Sequence, residues 1–599
     1  MNRAERRRQQ KLSNKKKARS ARVDKPDETN SQNALQRGIS FHQSGQLAEA
    51  INWYQETLKI QPENIAALGN IGYALIEQGK PGEAVTYLEK AISIKHDYPE
   101  AHYNLGNALK SQGKVSEAII CFQNATTLRP IFPEALSNYG NTLLKIGELD
   151  KAIEYLQKAI SIKPDFVEAL CSLGEALREQ GELDKAIAIL KKAISINPNF
   201  PETYYNLAKT FDSVGDVDKT IANYQNAIIL KPDYQEAYYN LGTFLRHHGR
   251  VDEAIINLEK AISIKPLDAN AHSNMGYALF AKGQIKEGLE KFEWRWKKDL
   301  IRQRSVSSFS KPLWDGLHDL KDKTLFLWGE QGMGDIIVWS FCLPVVSDRV
   351  GRCILECMPK LTPLLSRSFP NIEVRPENME SDADRDDFDF HLPMGSIFRH
   401  FLLDFNDISR VESYLVPDPD RVSFWEKRLR GMGLGPFVGI SWKSPLITPT
   451  RALNYAELRE FAPIFLKNKD AIFINLQCKD YDDDVAAIKQ EFGVTIHDFE
   501  DMDQFNNLDD VAALSKALDV VISVNTGVTA ISAGVGTPTW IINWRQSSWN
   551  NAIFSPRGTS VRLFDRNTWE SWDEVFLSIA EQLSTADFNT DLHNKRVVK

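Results

Sequence analysis

The stretch that decides the fold of the first half of the chain is AHYNLGNALKSQGKVSEAIICFQNATTLRP, residues 101–130. It sets Gly106 in an apolar helical pattern, Gly113 seven residues later, and Pro130 at its end. A small residue such as Gly106 lets two helices approach closely, and a glycine at a helix end accepts the left-handed cap conformation. Proline disfavours helix at the residue before it. The stretch therefore predicts two antiparallel helices, one on each side of Gly113.

The same pattern recurs every 34 residues over 31–300, which gives eight units. The positions equivalent to Gly106 are Gly38, Gly72, Gly106, Gly140, Gly174, Ala208, Gly242 and Gly276. One helix pair cannot bury its apolar face alone, so repeated pairs stack into an α-solenoid. The eighth unit departs from the pattern at Gly288 and Arg295, and we expect it to cap the solenoid against the domain that follows.

This repeat resembles the tetratricopeptide repeat. The residues that stand in the register of that family are Leu105, Gly106, Ala108, Ala118, Phe122, Ala125 and Pro130. Arrays of this family are usually interaction surfaces, so the resemblance implies that an extended peptide or a protein binds in the groove.

A column of asparagines lies two residues before the first glycine of most units. Its members are Asn70, Asn104, Asn138, Asn206, Asn240 and Asn274. Amide side chains both donate and accept hydrogen bonds, so a column of them can hold a peptide backbone without reading its side chains. The column resembles the asparagine ladder of protein O-GlcNAc transferases. The alternative is that each asparagine bonds the neighbouring helix.

The second half of the chain alternates apolar strands with helices. Strands are predicted at 323–328, 354–356, 388–394, 437–442, 471–477, 519–524 and 539–544. This alternation favours parallel sheets covered by helices on both faces. After a linker at 301–320, the pattern predicts two α/β halves, 321–415 and 437–583, joined by a linker helix at 416–436. Ligands of such sheets bind at the carboxyl ends of the strands.

Two loops of this half carry candidate chemistry. The loop WGEQGMGD (328–335) follows a strand and opens a helix, and it offers Gly332, Gly334 and Asp335. Glycines allow close backbone approach there, and a helix N-terminus favours negative charge. The loop at 442–458 carries Lys443 and Arg451, whose positive charges would stabilise a departing diphosphate. Surface charge is the alternative interpretation of both cations.

A third loop, at 523–544, reads SVNTGVTAISAGVGTPTWIINW. A strand ends there, and Thr526 and Gly527 open a helix. This arrangement is typical of loops that bind phosphate through backbone amides.

In this order, the three loops resemble those of heptosyltransferase-like glycosyltransferases of GT-B fold, and above all the bacterial subgroup fused behind tetratricopeptide repeats. The resemblance spans about 311–583. It implies inverting transfer of a hexosyl, heptosyl or N-acetylglucosaminyl group from a nucleotide sugar, with Asp335 as the general base and without a metal or other cofactor. The donor and its diphosphate would then meet Gly332, Gly334, Lys443, Arg451, Gln477, Asn525, Thr526 and Gly527.

Two departures from that family pattern keep a second hypothesis open. Asn525 stands where the family usually has aspartate, and Ala530 stands where it usually has histidine. Both lie in the predicted phosphate loop. The alternative function is therefore a non-catalytic scaffold in which the repeats bind a partner and the α/β half is a degenerate transferase domain.

The composition argues against a membrane-spanning protein and against a disulfide-stabilised one. The chain has 599 residues, of which 25% are charged and 43% hydrophobic, as is typical of soluble globular proteins. No stretch approaches the roughly 20 apolar residues of a membrane span. Six cysteines without a CxxC pair favour a reduced, cytoplasmic location. The acidic run at 380–390 is interpreted as a solvated loop.

Both ends of the chain are predicted to be disordered tails, at 1–30 and 584–599. Residues 1–25 hold eleven Lys and Arg against two acidic residues. Such a basic arm can bind RNA or anionic lipid. The arm has no interleaved aromatic residues for base stacking, so nucleic acid is not the predicted partner.

Overall fold

A computed structural model describes residues 28–297, 306–330, 332–378, 384–401, 413–444, 455–479, 481–544, 561–566 and 571–586. The basic arm of residues 1–25 and the predicted site residue Arg451 lie outside these ranges. The chain divides into two compact units, Met1–Pro232 and Asp233–Lys599.

The described residues of the first unit, from Glu28 onward, form six helix pairs. Its helices are α1 (Glu28–Gln43), α2 (Leu47–Ile60), α3 (Ile65–Glu77), α4 (Pro81–Ile94), α5 (Pro99–Ser111), α6 (Val115–Leu128), α7 (Pro133–Lys145), α8 (Leu149–Ile162), α9 (Val167–Glu179), α10 (Leu183–Ile196), α11 (Pro201–Val214) and α12 (Val217–Leu230). Helix α1 begins inside the stretch predicted to be disordered, which reached residue 30. The predicted solenoid is confirmed in this unit.

The third pair shows why the sequence folds in this way. Helix α5 begins with Pro99, whose missing amide hydrogen is not needed at a helix start. Gly113 has φ of 77°, the left-handed conformation expected of it. A Cβ atom at Gly106 would lie 2.7 Å from Cε1 of Phe122, so only a glycine lets α5 and α6 pack at this distance. The predicted helix–turn–helix unit is therefore confirmed.

We expect Gly140→Val to destabilise the first unit by about 1–3 kcal/mol, because the added atoms overpack a tight helix contact. A Cβ atom at Gly140 would lie 3.1 Å from the carbonyl oxygen of Ala152, which belongs to backbone and cannot rotate away. Urea unfolding followed by circular dichroism measures the effect. Gly82→Ala is the matched control, because no atom lies within 4 Å of the added Cβ. Equal midpoints for the two variants would contradict the packing argument.

The second unit opens with two further helix pairs. They are α13 (Gln235–His247), α14 (Val251–Ile264), α15 (Ala269–Ala281) and α16 (Ile285–Phe292), and a short 3-10 helix, Glu293–Lys297, follows. Gly288 replaces the usual alanine because a Cβ there would lie 2.5 Å from Cδ1 of Phe280. Phe280, Leu289 and Phe292 share one hydrophobic core with the α/β region. The last repeat thus packs against the α/β region, as predicted.

The rest of the second unit contains two parallel sheets. The first has the order β3-β2-β1-β4, formed by β1 (Thr324–Trp328), β2 (Arg352–Cys357), β3 (Glu373–Pro376) and β4 (Phe390–Pro393). The second has the order β10-β9-β8-β5-β6-β7, formed by β5 (Phe437–Ser441), β6 (Ile472–Asn475), β7 (Ile496–His497), β8 (Val520–Val524), β9 (Thr539–Trp544) and β10 (Val561–Arg566). Each predicted strand overlaps one of these. Strands β3, β7 and β10 were not predicted.

Helices cover the two sheets. They are α17 (Met333–Trp339), α18 (Leu343–Ser347), α19 (Thr362–Ser368), α20 (Ile397–Phe401), α21 (Pro419–Arg430), α22 (Ala462–Lys467), α23 (Asp482–Phe492), α24 (Leu508–Ala517), α25 (Gly527–Gly534) and α26 (Asp573–Thr585). A single 3-10 turn, Leu458–Phe461, precedes α22. Helix α26 extends to Thr585, two residues into the tail predicted from 584.

The described residues contain no helix that combines the length and the apolar character needed to cross a membrane.

Candidate functional site

A buried ion cluster fixes the loop that precedes Asp335. Arg295 of the last repeat donates from Nε to Oε2 of Glu330 at 2.8 Å and from Nη2 to Oε1 at 2.9 Å. Its Nη1 donates to Glu293 at 2.7 Å, and Nη2 also donates to the hydroxyl of Ser396 at 2.9 Å. The backbone amide of Gly395 donates to Glu330 at 2.7 Å. The arginine that departs from the repeat pattern therefore holds Glu330, which follows β1, in place.

The N-termini of two helices meet beyond this loop. Helix α17 carries Asp335 in its first turn, and α25 begins at Gly527. A Cβ atom at Gly334 would lie 3.7 Å from Cα of Gly527, and one at Gly527 would collide with the side chain of Met333. The two loops therefore lie in van der Waals contact, with the side chain of Met333 packed over Gly527. Their helix dipoles place partial positive charge at one point.

A cavity of about 380 Å³ opens at this point, at the carboxyl ends of strands from both sheets. Eight of the predicted site residues line it: Gly332, Gly334, Asp335, Lys443, Gln477, Asn525, Thr526 and Gly527. The ninth, Arg451, lies outside the described residues. Three loops that are distant in the sequence are therefore brought together at one cavity.

Gln477 holds the segment that carries Lys443 through hydrogen bonds. Its Oε1 accepts hydrogen bonds from the Ser441 hydroxyl at 3.1 Å and from the backbone amides of Trp442 and Lys443 at 3.3 and 3.1 Å. The Lys443 ammonium forms an ion pair with Asp484 at 2.7 Å. Lys443 thus reaches the cavity with part of its charge already balanced.

Sequence reasoning missed Lys360 and Phe505, which also line the cavity. The Lys360 ammonium donates to the backbone carbonyl of Phe505 at 3.2 Å and lies 4.3 Å from the centre of its ring. The Lys479 ammonium lies 3.9 Å from the same ring centre. Lys360 belongs to no motif. Its one sequence signal is its place just after β2, where parallel strands present ligand-binding residues.

The charge of Asp335 acts on a side chain of the last repeat. Burial raises the pKa of Tyr277, on α15, and the negative charge of Asp335 raises it further. A repeat side chain and the candidate base therefore share one environment.

The asparagine column bonds between successive repeats at three of its members. Asn138 donates to Oδ1 of Asn107 at 2.8 Å, and Asn206 donates to the Cys171 carbonyl at 3.4 Å. In the second unit, Asn274 donates to the Tyr239 hydroxyl at 3.0 Å. These amides connect the first helices of successive repeats. This is the alternative role, in which each asparagine bonds the neighbouring helix. Peptide binding by Asn70, Asn104, Asn138, Asn206, Asn240 and Asn274 stays a prediction.

Acidic side chains near the first sheet pair with arginines. Arg385 forms ion pairs with Glu356 and with Asp387, the latter at 3.0 Å. Arg375 adds a second cation to Asp387 at 2.6 Å. In the part of the chain that the structure describes, no three His, Cys, Asp or Glu side chains are grouped as metal ligands.

Comparison with known proteins gives partial relatives. Protein FlbA of Caulobacter vibrioides is 30% identical over 286 residues, which is 45% of this chain and 48% of that protein. The chain thus spans about half the length of this curated relative. Among solved structures, MamA is 33% identical with a TM-score of 0.26, covering 27% of this chain and 94% of MamA. A tetratricopeptide repeat protein from Parabacteroides merdae is 18% identical with a TM-score of 0.37, covering 42% of this chain and 99% of that one.

Family models match the helix pairs of both units. The model described as "TPR repeat" matches residues 38–79, 72–113, 140–177, 174–215 and 244–283, and two models described as "Tetratricopeptide repeat" match 99–132 and 223–256. These matches agree with the 34-residue period and with the left-handed glycine that ends each first helix. The chain therefore carries tetratricopeptide repeats across residues 38–283, followed by a region of parallel sheets.

Proposed function

We propose that the α/β region is a GT-B-type glycosyltransferase that uses a nucleotide sugar, and that the repeats bind its polypeptide acceptor. One observation carries the proposal: Asp335 lines a cavity where helices α17 and α25, each following a strand of a different parallel sheet, begin side by side. Such a cavity supplies a carboxylate on one side and backbone amides at a helix N-terminus on the other.

The proposed reaction uses these groups in separate roles. Asp335 accepts the proton of the acceptor hydroxyl while the oxygen of that hydroxyl forms a bond to the anomeric carbon of the donor sugar. The bond from that carbon to the diphosphate oxygen breaks at the same time, with inversion. The charge that develops on the diphosphate is stabilised by Lys443, Lys360 and the first amides of α25.

The test uses the full-length protein with a panel of nucleotide sugars, and chromatography measures the nucleotide that is released. We expect release above the uncatalysed rate from at least one donor, since the acceptor site also admits water. If no donor in the panel is consumed and none changes the melting temperature, the proposal is wrong.

Lys443→Gln is expected to lower kcat/KM for the donor by about 10–100-fold, because one of the cations that stabilise the leaving group is lost. Steady-state kinetics with the active donor measure this. Lys467→Gln is the matched control, since the Lys467 ammonium forms a surface ion pair with Glu581 at 3.4 Å, away from the residues that line the cavity. Unchanged kinetics in Lys443→Gln would remove this residue from the proposed mechanism.

The scaffold hypothesis remains the second candidate, and a specific observation favours it. Lys443 is already paired with Asp484, while Asn525 and Ala530 supply no charge at the cavity. A scaffold binds partners through its repeats and turns over no nucleotide sugar. The donor panel therefore separates the two functions.

A further inference from the structure

A buried arginine in the seventh repeat has no acidic partner. Arg246 lies in the last turn of helix α13, with only 8% of its surface exposed. Its Nε is buried and makes no hydrogen bond with a described residue. Its Nη2 lies 2.7 Å from Nε2 of His247, and no carboxylate in the described ranges pairs with it.

The positive charge of Arg246 persists despite its burial. Burial lowers the pKa of the guanidinium to about 10, so it stays protonated at neutral pH. Burial and the neighbouring cation lower the pKa of His247 to about 3, so that ring is neutral and accepts a hydrogen bond. A neutral imidazole balances no charge. A buried cation without an anion destabilises a fold. Such a cost is typical of a residue that is kept for its function.

At the same repeat position in the first unit, a half-buried arginine has acidic neighbours. Arg178 stands 68 residues earlier, at the equivalent place on helix α9 of the first unit. Its Nε also lacks a hydrogen-bond partner, but Arg178 forms an ion pair with Glu179 at 3.0 Å, and its charge lowers the pKa of Asp212 against the rise caused by burial. Arg246 has neither kind of acidic neighbour, so the repeat position alone does not explain it.

The surroundings of Arg246 connect it to the candidate site. Its guanidinium carbon lies 5.6 Å from the ring centre of Tyr277, the residue whose environment includes Asp335. Tyr239, from the same helix as Arg246, is bonded to Asn274 of the column described above. A cation, two tyrosines and an amide thus lie together on the first helices of the last two repeats, and one of the tyrosines responds to the charge of Asp335.

We propose that Arg246 binds a carboxylate of the acceptor polypeptide, so that the last two repeats select an acidic residue close to the residue that is modified. This proposal rests on the proposed function for the identity of the acceptor. The chemistry is that of a guanidinium, whose planar fork donates two parallel hydrogen bonds to a carboxylate. Because Nε is buried, the fork is formed by the two terminal nitrogens, of which only Nη2 has a partner among the described residues.

The test measures peptide binding to the full-length protein by fluorescence anisotropy. The probes are two fluorescein-labelled nonapeptide pools centred on Ser or Thr, one with Asp and Glu at the flanking positions and the other with Asn and Gln. We expect the wild-type protein to bind the acidic pool about tenfold more tightly or better, the range of hydrogen bonds to charged groups. In Arg246→Met this ratio should approach one, whereas Arg178→Met, the matched control, should keep it.

Two further measurements exclude a merely structural effect. Arg246→Lys keeps the charge without the fork and should show an intermediate ratio. Arg246→Met should melt at a higher temperature than the wild type in the absence of peptide, because an unpaired buried charge is gone. Equal binding of both pools by the wild type, or an unchanged ratio in Arg246→Met, overturns the inference. This assay does not measure turnover of the nucleotide sugar. Preference for the acidic pool in a protein that consumes no donor would refute only the proposed function. Consumption of a donor by a protein without that preference would refute only this inference.

Discussion

Asp335→Asn is expected to lower kcat/KM for sugar transfer by about 10²–10⁴-fold, the range for removal of a general base. Asparagine has nearly the same shape and still forms hydrogen bonds, but it cannot take the proton of the acceptor hydroxyl. Because the substitution keeps the size of the side chain at the cavity, the protein should keep its fold. Steady-state kinetics and the melting temperature are the two readouts.

The control for this variant is Asp348→Asn, an exposed carboxylate at the end of α18 in the same sheet region. It should leave the kinetics unchanged. The loss in Asp335→Asn should fall on kcat, with the donor KM little altered, because the base acts in the transition state. A variant that keeps full kcat would show that another group accepts the proton.

Glu330→Ala is expected to destabilise the second unit by about 3–5 kcal/mol, because it leaves a buried arginine without its main partner. The side chain of Arg295 is 3% exposed and that of Glu330 is fully buried. Burial alone would lower the pKa of Arg295, but Glu330 and then Glu293 more than offset it and hold the pKa above its usual range. Urea unfolding of the full-length protein, followed by tryptophan fluorescence, measures the loss.

A double variant distinguishes loss of the ion pair from loss of packing. Replacement of a buried ion pair by apolar residues of similar size is often neutral, so Arg295→Met combined with Glu330→Met should recover much of the stability. If Glu330→Ala alone costs less than about 1 kcal/mol, the cluster is not a main link between the last repeat and the α/β region.

The repeat half was predictable from sequence because its determinants are local and recur. Gly106, Gly113 and Pro130 each act on residues within one unit, and eight copies make the period plain. The central strands were predictable for a related reason, since strands buried on both faces read as apolar runs. Strand β3 (EVRP) is short and polar, and β7 has two residues, so neither gives such a signal.

The candidate site was only partly predictable. Gly334, Asp335 and Gly527 follow strands in recognisable loops, and the structure brings them to one cavity. Lys360 reaches that cavity from another strand end without any motif. The role of Glu330 depends on Arg295, 35 residues away in the preceding repeat. Such contacts between distant segments leave no periodic trace in a single sequence.

The proposed function requires that the cavity at Asp335 binds a nucleotide sugar. Isothermal titration calorimetry of the full-length protein with a panel of nucleotide sugars tests it most directly, with Gly527→Val as the variant that fills the approach between the two loops. We expect saturable binding of at least one donor at a single site, and loss of that binding in Gly527→Val. Absence of binding by every donor, or equal binding by the wild type and Gly527→Val, would contradict it.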